Sequence, residues 1–117
     1  MKIITVMKSA DLSVAKLTPG GLRPGADRGN PQTAFLELAP ETVNGQFGIW
    51  ECQPGGWPIT NRPTTEFAYI LSGKANLTDE ATGKTTNISA GDVVITPAGW
   101  NGRWDVTETI KKLYAII

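Results

Sequence analysis

There is no histidine in this chain of 117 residues, and there is a single cysteine, Cys52. Without histidine, the Ser-His-Asp and Cys-His nucleophile systems are excluded. So are zinc sites that use imidazole and the iron site built from two histidines and a carboxylate. One cysteine can form neither an intrachain disulfide nor an all-cysteine metal site. Any chemistry must rest on Glu, Asp, Lys, Arg, Tyr, the one thiol or the backbone. Charge imbalance is also missing: eleven basic residues cancel eleven acidic ones. A nucleic-acid partner calls for a basic excess or stripe, and none is present. No apolar run approaches the ~18–20 residues of a membrane span. Residues 1–16 lack an apolar stretch with a cleavage site, so no export is expected. With one thiol, this points to a reducing, cytoplasmic setting. The sequons at Asn76 and Asn87 are then without consequence.

What is present suits one globular domain with its own core, expected over residues 1–117. Residues 1–40 are expected to form an N-terminal arm with edge strands, and residues 41–117 the core. Apolar residues make up 40% of the chain, and thirteen Gly and eight Pro are spread along it as turn signals. Apolar and polar residues alternate with the period of half-buried strands over 34–38, 45–53, 66–71, 74–78, 85–89, 93–96, 102–107 and 111–117. Turns are expected at Pro54-Gly55-Gly56, Ser72-Gly73, residues 79–84, Ala90-Gly91-Asp92 and Pro97-Ala98-Gly99. Short strands at this spacing predict an all-β sandwich or barrel. A helix is possible over 11–17. Residues 18–33 hold three Pro and four Gly and are expected to form an irregular arm.

Two segments carry a family resemblance. Glu66 is followed by Phe67-Ala68-Tyr69-Ile70-Leu71-Ser72 and then Gly73. Gly91-Asp92-Val93-Val94-Ile95-Thr96 leads into Pro97-Ala98-Gly99. These are similar to the two hairpin motifs of the cupin superfamily, over residues 50 to 110. Within it, Trp50-Glu51-Cys52, Pro97-Ala98-Gly99-Trp100 and the tail from Trp104 to Tyr114 resemble the small single-domain branch. That branch is related to the cupin domain of ureidoglycine aminohydrolase and to ethanolamine-utilisation cupins. The resemblance implies a double-stranded β-helix, or jelly-roll, barrel. It also implies a metal position inside, but the two first-motif histidines fall at Thr60 and Arg62. The second-motif histidine falls at Gly102. Only Glu66 survives, and a guanidinium beside it opposes a metal cation. No metal and no cofactor are therefore expected.

The resemblance places Trp57, Thr60, Arg62, Glu66, Gly102 and Trp104 around one point inside the barrel as the expected ligand pocket. Arg62 can fork onto a carboxylate or phosphate, and Glu66 can accept from amines or hydroxyls. The pair could equally be a structural bridge that replaces the metal. Glu66 is the best candidate for a catalytic acid or base. Trp57, Trp100 and Trp104 could clamp a flat or apolar ligand. Trp50 and Tyr69 read as packing, Cys52 as a buried structural thiol, Asp92 as a turn residue, and Lys111-Lys112 as a solvated pair.

The expected function is binding of a small polar or anionic metabolite, without a metal. An enzyme of the ureidoglycine aminohydrolase type, and an accessory protein with a packed barrel, are the alternatives. Open sheet edges are liabilities unless covered. A homodimer is expected, with 2–6 and 34–38 pairing across a two-fold axis.

Overall fold

The computed structural model describes residues 3–40 and 43–117. The expected boundary between arm and core falls beside the undescribed pair at 41 and 42, and the first residue of the expected 2–6 strand also lies outside the described residues. Alternation becomes strand nearly throughout. In chain order the strands are β1 (Thr18–Leu22), β2 (Arg28–Gly29), β3 (Gln32–Glu37), β4 (Gln46–Cys52), β5 (Gly55–Ile59), β6 (Glu66–Asp79), β7 (Thr85–Ser89), β8 (Val93–Thr96) and β9 (Gly102–Ile116). One short helix, α1 (Ser9–Val14), precedes them. It begins two residues earlier than the sequence suggests, because the Lys8 N–H donates to the Asp11 carboxylate and fixes the first turn there.

All pairings are antiparallel. The sheet runs β1-β3-β4-β9-β5-β2, and β6 pairs with β7, β8 and β9. Strand β9 organises it. One of its edges carries β4 and then β5, and the other carries the whole of β6. This curled all-β arrangement is the expected jelly-roll barrel. Among the described residues, no helix is long and apolar enough to cross a membrane.

Three expectations need correction. Ser72-Gly73 is no turn; β6 continues through it, with register shifts against β9 between Ile70 and Ala75. The reason is close approach: a Cβ on Gly73, whose φ is +89°, would stand 2.1 Å from the Thr109 carbonyl oxygen. The glycine lets a long strand bend around the barrel rather than reverse. Likewise Gly55 and Gly56 open β5 instead of only closing β4. The 18–33 stretch is not irregular. β1 pairs with β3 through a bulge between Pro19 and Gly21, and β2 pairs with β5.

Inside lie Cys52, Trp57, Ile70, Ala75, Ile88, Trp104, Val106 and Ile110. Burying each large apolar side chain contributes roughly 1.5–3 kcal/mol. At the β5 end, Arg103 donates to Asp27 at 2.6 and 2.7 Å and to Asp105 at 3.0 Å, tying the arm to β9.

Candidate functional site

The alternation on β6 buries Glu66, Ala68 and Ile70 and turns Phe67 and Tyr69 outward. A carboxylate at the first inward position must therefore find partners inside. It finds two. Oε1 accepts from Lys112 Nζ at 2.7 Å, and Oε2 accepts from Arg62 Nη2 at 3.2 Å. All three side chains are mostly or wholly buried, with 6% of Glu66, 9% of Lys112 and 18% of Arg62 exposed. Arg62 comes from the loop after β5. Its N–H donates to the Trp100 carbonyl and its carbonyl accepts from Gly99, so the two loops lock together. Its Nε also donates to the Thr64 carbonyl.

Lys112 is a correction to the solvated pair expected at 111–112. The period of two that sends Trp104 and Val106 inward also sends Ile110 and Lys112 inward. Lys111 takes the other face and lies 3.8 Å from Glu51. The Lys112 ammonium sits 4.6 Å from the Trp50 ring centroid and 4.8 Å from that of Trp104, a cation–π seat. Trp57 and Trp104 are cross-strand partners on β5 and β9. Their rings are parallel within 7° at 6.1 Å, and Trp50 meets both edge-on. Arg23, from the turn after β1, lies over the Trp57 ring at 4.9 Å.

Together these residues wall a cavity of about 220 Å³, completed by Ile59, Tyr114 and Ile116. Of the residues expected to form a pocket, Trp57, Arg62, Glu66 and Trp104 line it. Thr60 does not: β5 ends at Ile59, which faces in, and the next residue is exposed. Gly102 does not either. A Cβ there would stand 2.2 Å from both the Trp100 ring and the Thr78 carbonyl oxygen, so the space next to it is already filled. Trp100 belongs to the other side, where its indole N–H donates to Asp79 at 2.7 Å. Trp50, expected to be packing, is part of the cavity wall.

Burial, only partly offset by Glu66, holds the Lys112 amine below its usual pKa. Burial also lowers Arg23, despite the opposing influence of Cys52. Tyr114 is raised by burial, with Glu37 and Glu66 adding to it. Cys52 is fully buried, and burial pushes its thiol up to about 11. The Trp57 indole N–H is buried with no partner among the described residues.

A cupin metal does not fit this donor set. Of the four ligand positions, Thr60 is exposed, Gly102 has no side chain and Arg62 is itself a cation. Both oxygens of Glu66 already face cations. The Lys112 ammonium supplies the positive charge against Glu66.

A single curled antiparallel barrel with its polar cluster on the inner face defines a cupin. The EutQ-like cupin domain family matches residues 40–114, and the chain belongs to that family. No curated protein matches. A protein of unknown function of the DUF861 family from Pseudomonas syringae pv. tomato shares 23% identity over 89% of this chain, with a TM-score of 0.80. This chain spans 45% of that protein's length. A putative ethanolamine utilisation protein Q from Salmonella typhimurium shares 22% over 82% of this chain and 76% of its own, with a TM-score of 0.65. A DUF861-family protein from Thermotoga maritima is 37% identical over 61% of this chain and 78% of its own, with a TM-score of 0.56.

Proposed function

We propose that this cupin binds a small anionic metabolite, a carboxylate in the first instance, without a metal. The observation that carries the reading is the charge of the wall. Arg23, Arg62 and Lys112 face one cavity, and Glu66 is the one carboxylate among its lining residues. Glu66 answers part of that charge, and the surplus is positive. Uncompensated cations in a partly buried cavity are costly, and an anion entering it relieves the cost. Arginine offers a bidentate fork that suits a carboxylate. The parallel indoles supply an apolar wall for the rest of the ligand. A barrel packed solid, as in a purely accessory protein, would leave no such space.

Three of the four tryptophans line the cavity, so their emission reports on it. The experiment titrates the protein with small mono- and dicarboxylates, and with neutral ureido compounds and amines for comparison. Saturable quenching by carboxylates is expected, weakened in Arg62→Met. Quenching by amines or ureido compounds in preference to carboxylates would contradict the reading.

A further inference from the structure

Lys112 has a feature that anion binding alone does not require. A primary amine lies at the wall of the cavity, seated against two indole rings, with a carboxylate oxygen 2.7 Å from its nitrogen. A guanidinium bound to the same carboxylate stands on the other side. We propose that Lys112 is a covalent site that forms a reversible imine with a small 2-oxo acid, a deepening that rests on the anion-binding reading.

The geometry gives each group a part. One carboxylate, that of Glu66, bridges Arg62 and Lys112, so the two cations stand only a carboxylate's reach apart. A ligand that places a carboxylate on the guanidinium and an electrophilic carbon on the amine has those groups adjacent. A 2-oxo acid has that arrangement. Arg23, over Trp57, is a second fork for a carboxylate at the other end of a longer acid. The cavity of about 220 Å³ suits an acid of a few carbons.

The step balances without any further reagent. The Lys112 ammonium gives a proton to Glu66, and the free amine attacks the ketone carbon. The carbon–nitrogen bond forms as the carbonyl π electrons move to oxygen, and a proton shifts from nitrogen to that oxygen. The hydroxyl of the carbinolamine then takes the proton from Glu66 and leaves as water. A protonated imine remains, and Glu66 is again a carboxylate. Nothing is oxidised or reduced. The amine is helped by its burial, which disfavours the charged form. The neighbouring Lys111 lies on the opposite face, and Lys8, Lys16, Lys74 and Lys84 are exposed, so none of these shares the arrangement.

The test is reductive trapping of the whole chain with pyruvate and cyanoborohydride, read by intact mass and by peptide mapping. Acetone, a ketone that lacks the carboxylate, and lactate, which lacks the ketone, are the comparisons. The expected result is one adduct, at Lys112. It should form about tenfold faster than at any other lysine, a difference of about 1.4 kcal/mol in barrier. Lactate should suppress it, and Glu66→Gln should slow it. Lys112→Met should abolish it; should that variant fail to fold, the mapped position in the wild type decides alone. No adduct, or adducts spread over surface lysines, overturns the proposal. If lactate quenches the tryptophans while pyruvate gives no adduct, the imine falls and the anion reading stands. If acetone labels Lys112 as fast as pyruvate does and lactate does not compete, carboxylate recognition fails. The 2-oxo acid assignment then falls with the reading beneath it.

Discussion

Glu66 holds two buried cations, and its replacement shows what they cost. In Glu66→Gln, Arg62 and Lys112 lose their shared anion while staying inside. Breaking a buried pair by removing one partner costs about 3–5 kcal/mol, because the remaining charge is uncompensated. Denaturant unfolding of wild type and variant should show a loss of that size. A loss below about 1 kcal/mol would mean that solvent already screens the cluster. Cys52 gives a pH signature. Its thiol is raised from 9.0 to about 11 in the fold, so the folded chain keeps a proton that the unfolded chain releases. Stability from this group is whole below pH 9 and is lost as pH rises toward 11, by roughly 3 kcal/mol. Cys52→Ala should flatten that part of the stability–pH curve, and equal slopes in the two proteins would contradict the assignment. Sequence alone suffices to place Glu66, since it opens an alternating strand inside a recognisable motif. Lys112 was legible too, by counting in twos from Trp104, but a Lys-Lys pair reads as surface when taken by composition. Arg23 carries no such signal. It reaches the cavity from the turn after β1, and only the fold brings that turn beside Trp57.

At the scale of elements, β6 and β9 show what alternation can and cannot reveal. Most of both strands is visible as apolar–polar alternation, but residues 108–110 of β9 and the continuity of the two strands are not. Gly73 sits where local rules place a turn, and only its contact with the Thr109 carbonyl explains why the chain bends there instead. The arm at 18–33 escaped for a related reason. Its glycines and prolines have little strand propensity, and β1 and β2 exist because β3 and β5 offer free backbone groups to pair with. Gly102 tests the packing at the start of β9. Gly102→Ala puts a methyl into the Thr78 carbonyl and the Trp100 ring, and overpacking of this kind costs about 1–3 kcal/mol. Thermal unfolding should shift down accordingly. An unchanged midpoint would mean that the Trp100 loop yields freely.

For the whole molecule, the surface bears on assembly. The expected pairing of 34–38 across a two-fold axis has no free edge to use, because β3 is flanked by β1 and β4. The outer strand there is β1, and its Pro19 and bulge blunt it. A different face is open. Phe67 lies opposite Ile95, and Tyr69 opposite Val93, and all four are between 40% and 66% exposed. We propose the homodimer through this face, packed against the same face of a second copy, since a self-complementary apolar patch suits a two-fold contact. Light scattering at micromolar concentration should give twice the chain mass, and Phe67→Lys with Ile95→Lys should give a monomer. A monomeric wild type would refute it.

The claim that the barrel is an anion site meets its most direct test in calorimetry. Succinate and malonate are titrated into wild type and into Arg62→Met, both shown to be folded, with and without a strong uncharged chelator that carries no carboxylate. The account predicts one saturable site per chain in the wild type despite the chelator, weakened by about tenfold or more, about 1.4 kcal/mol, in the variant. Binding that vanishes with the chelator, or that is the same in both proteins, would contradict it.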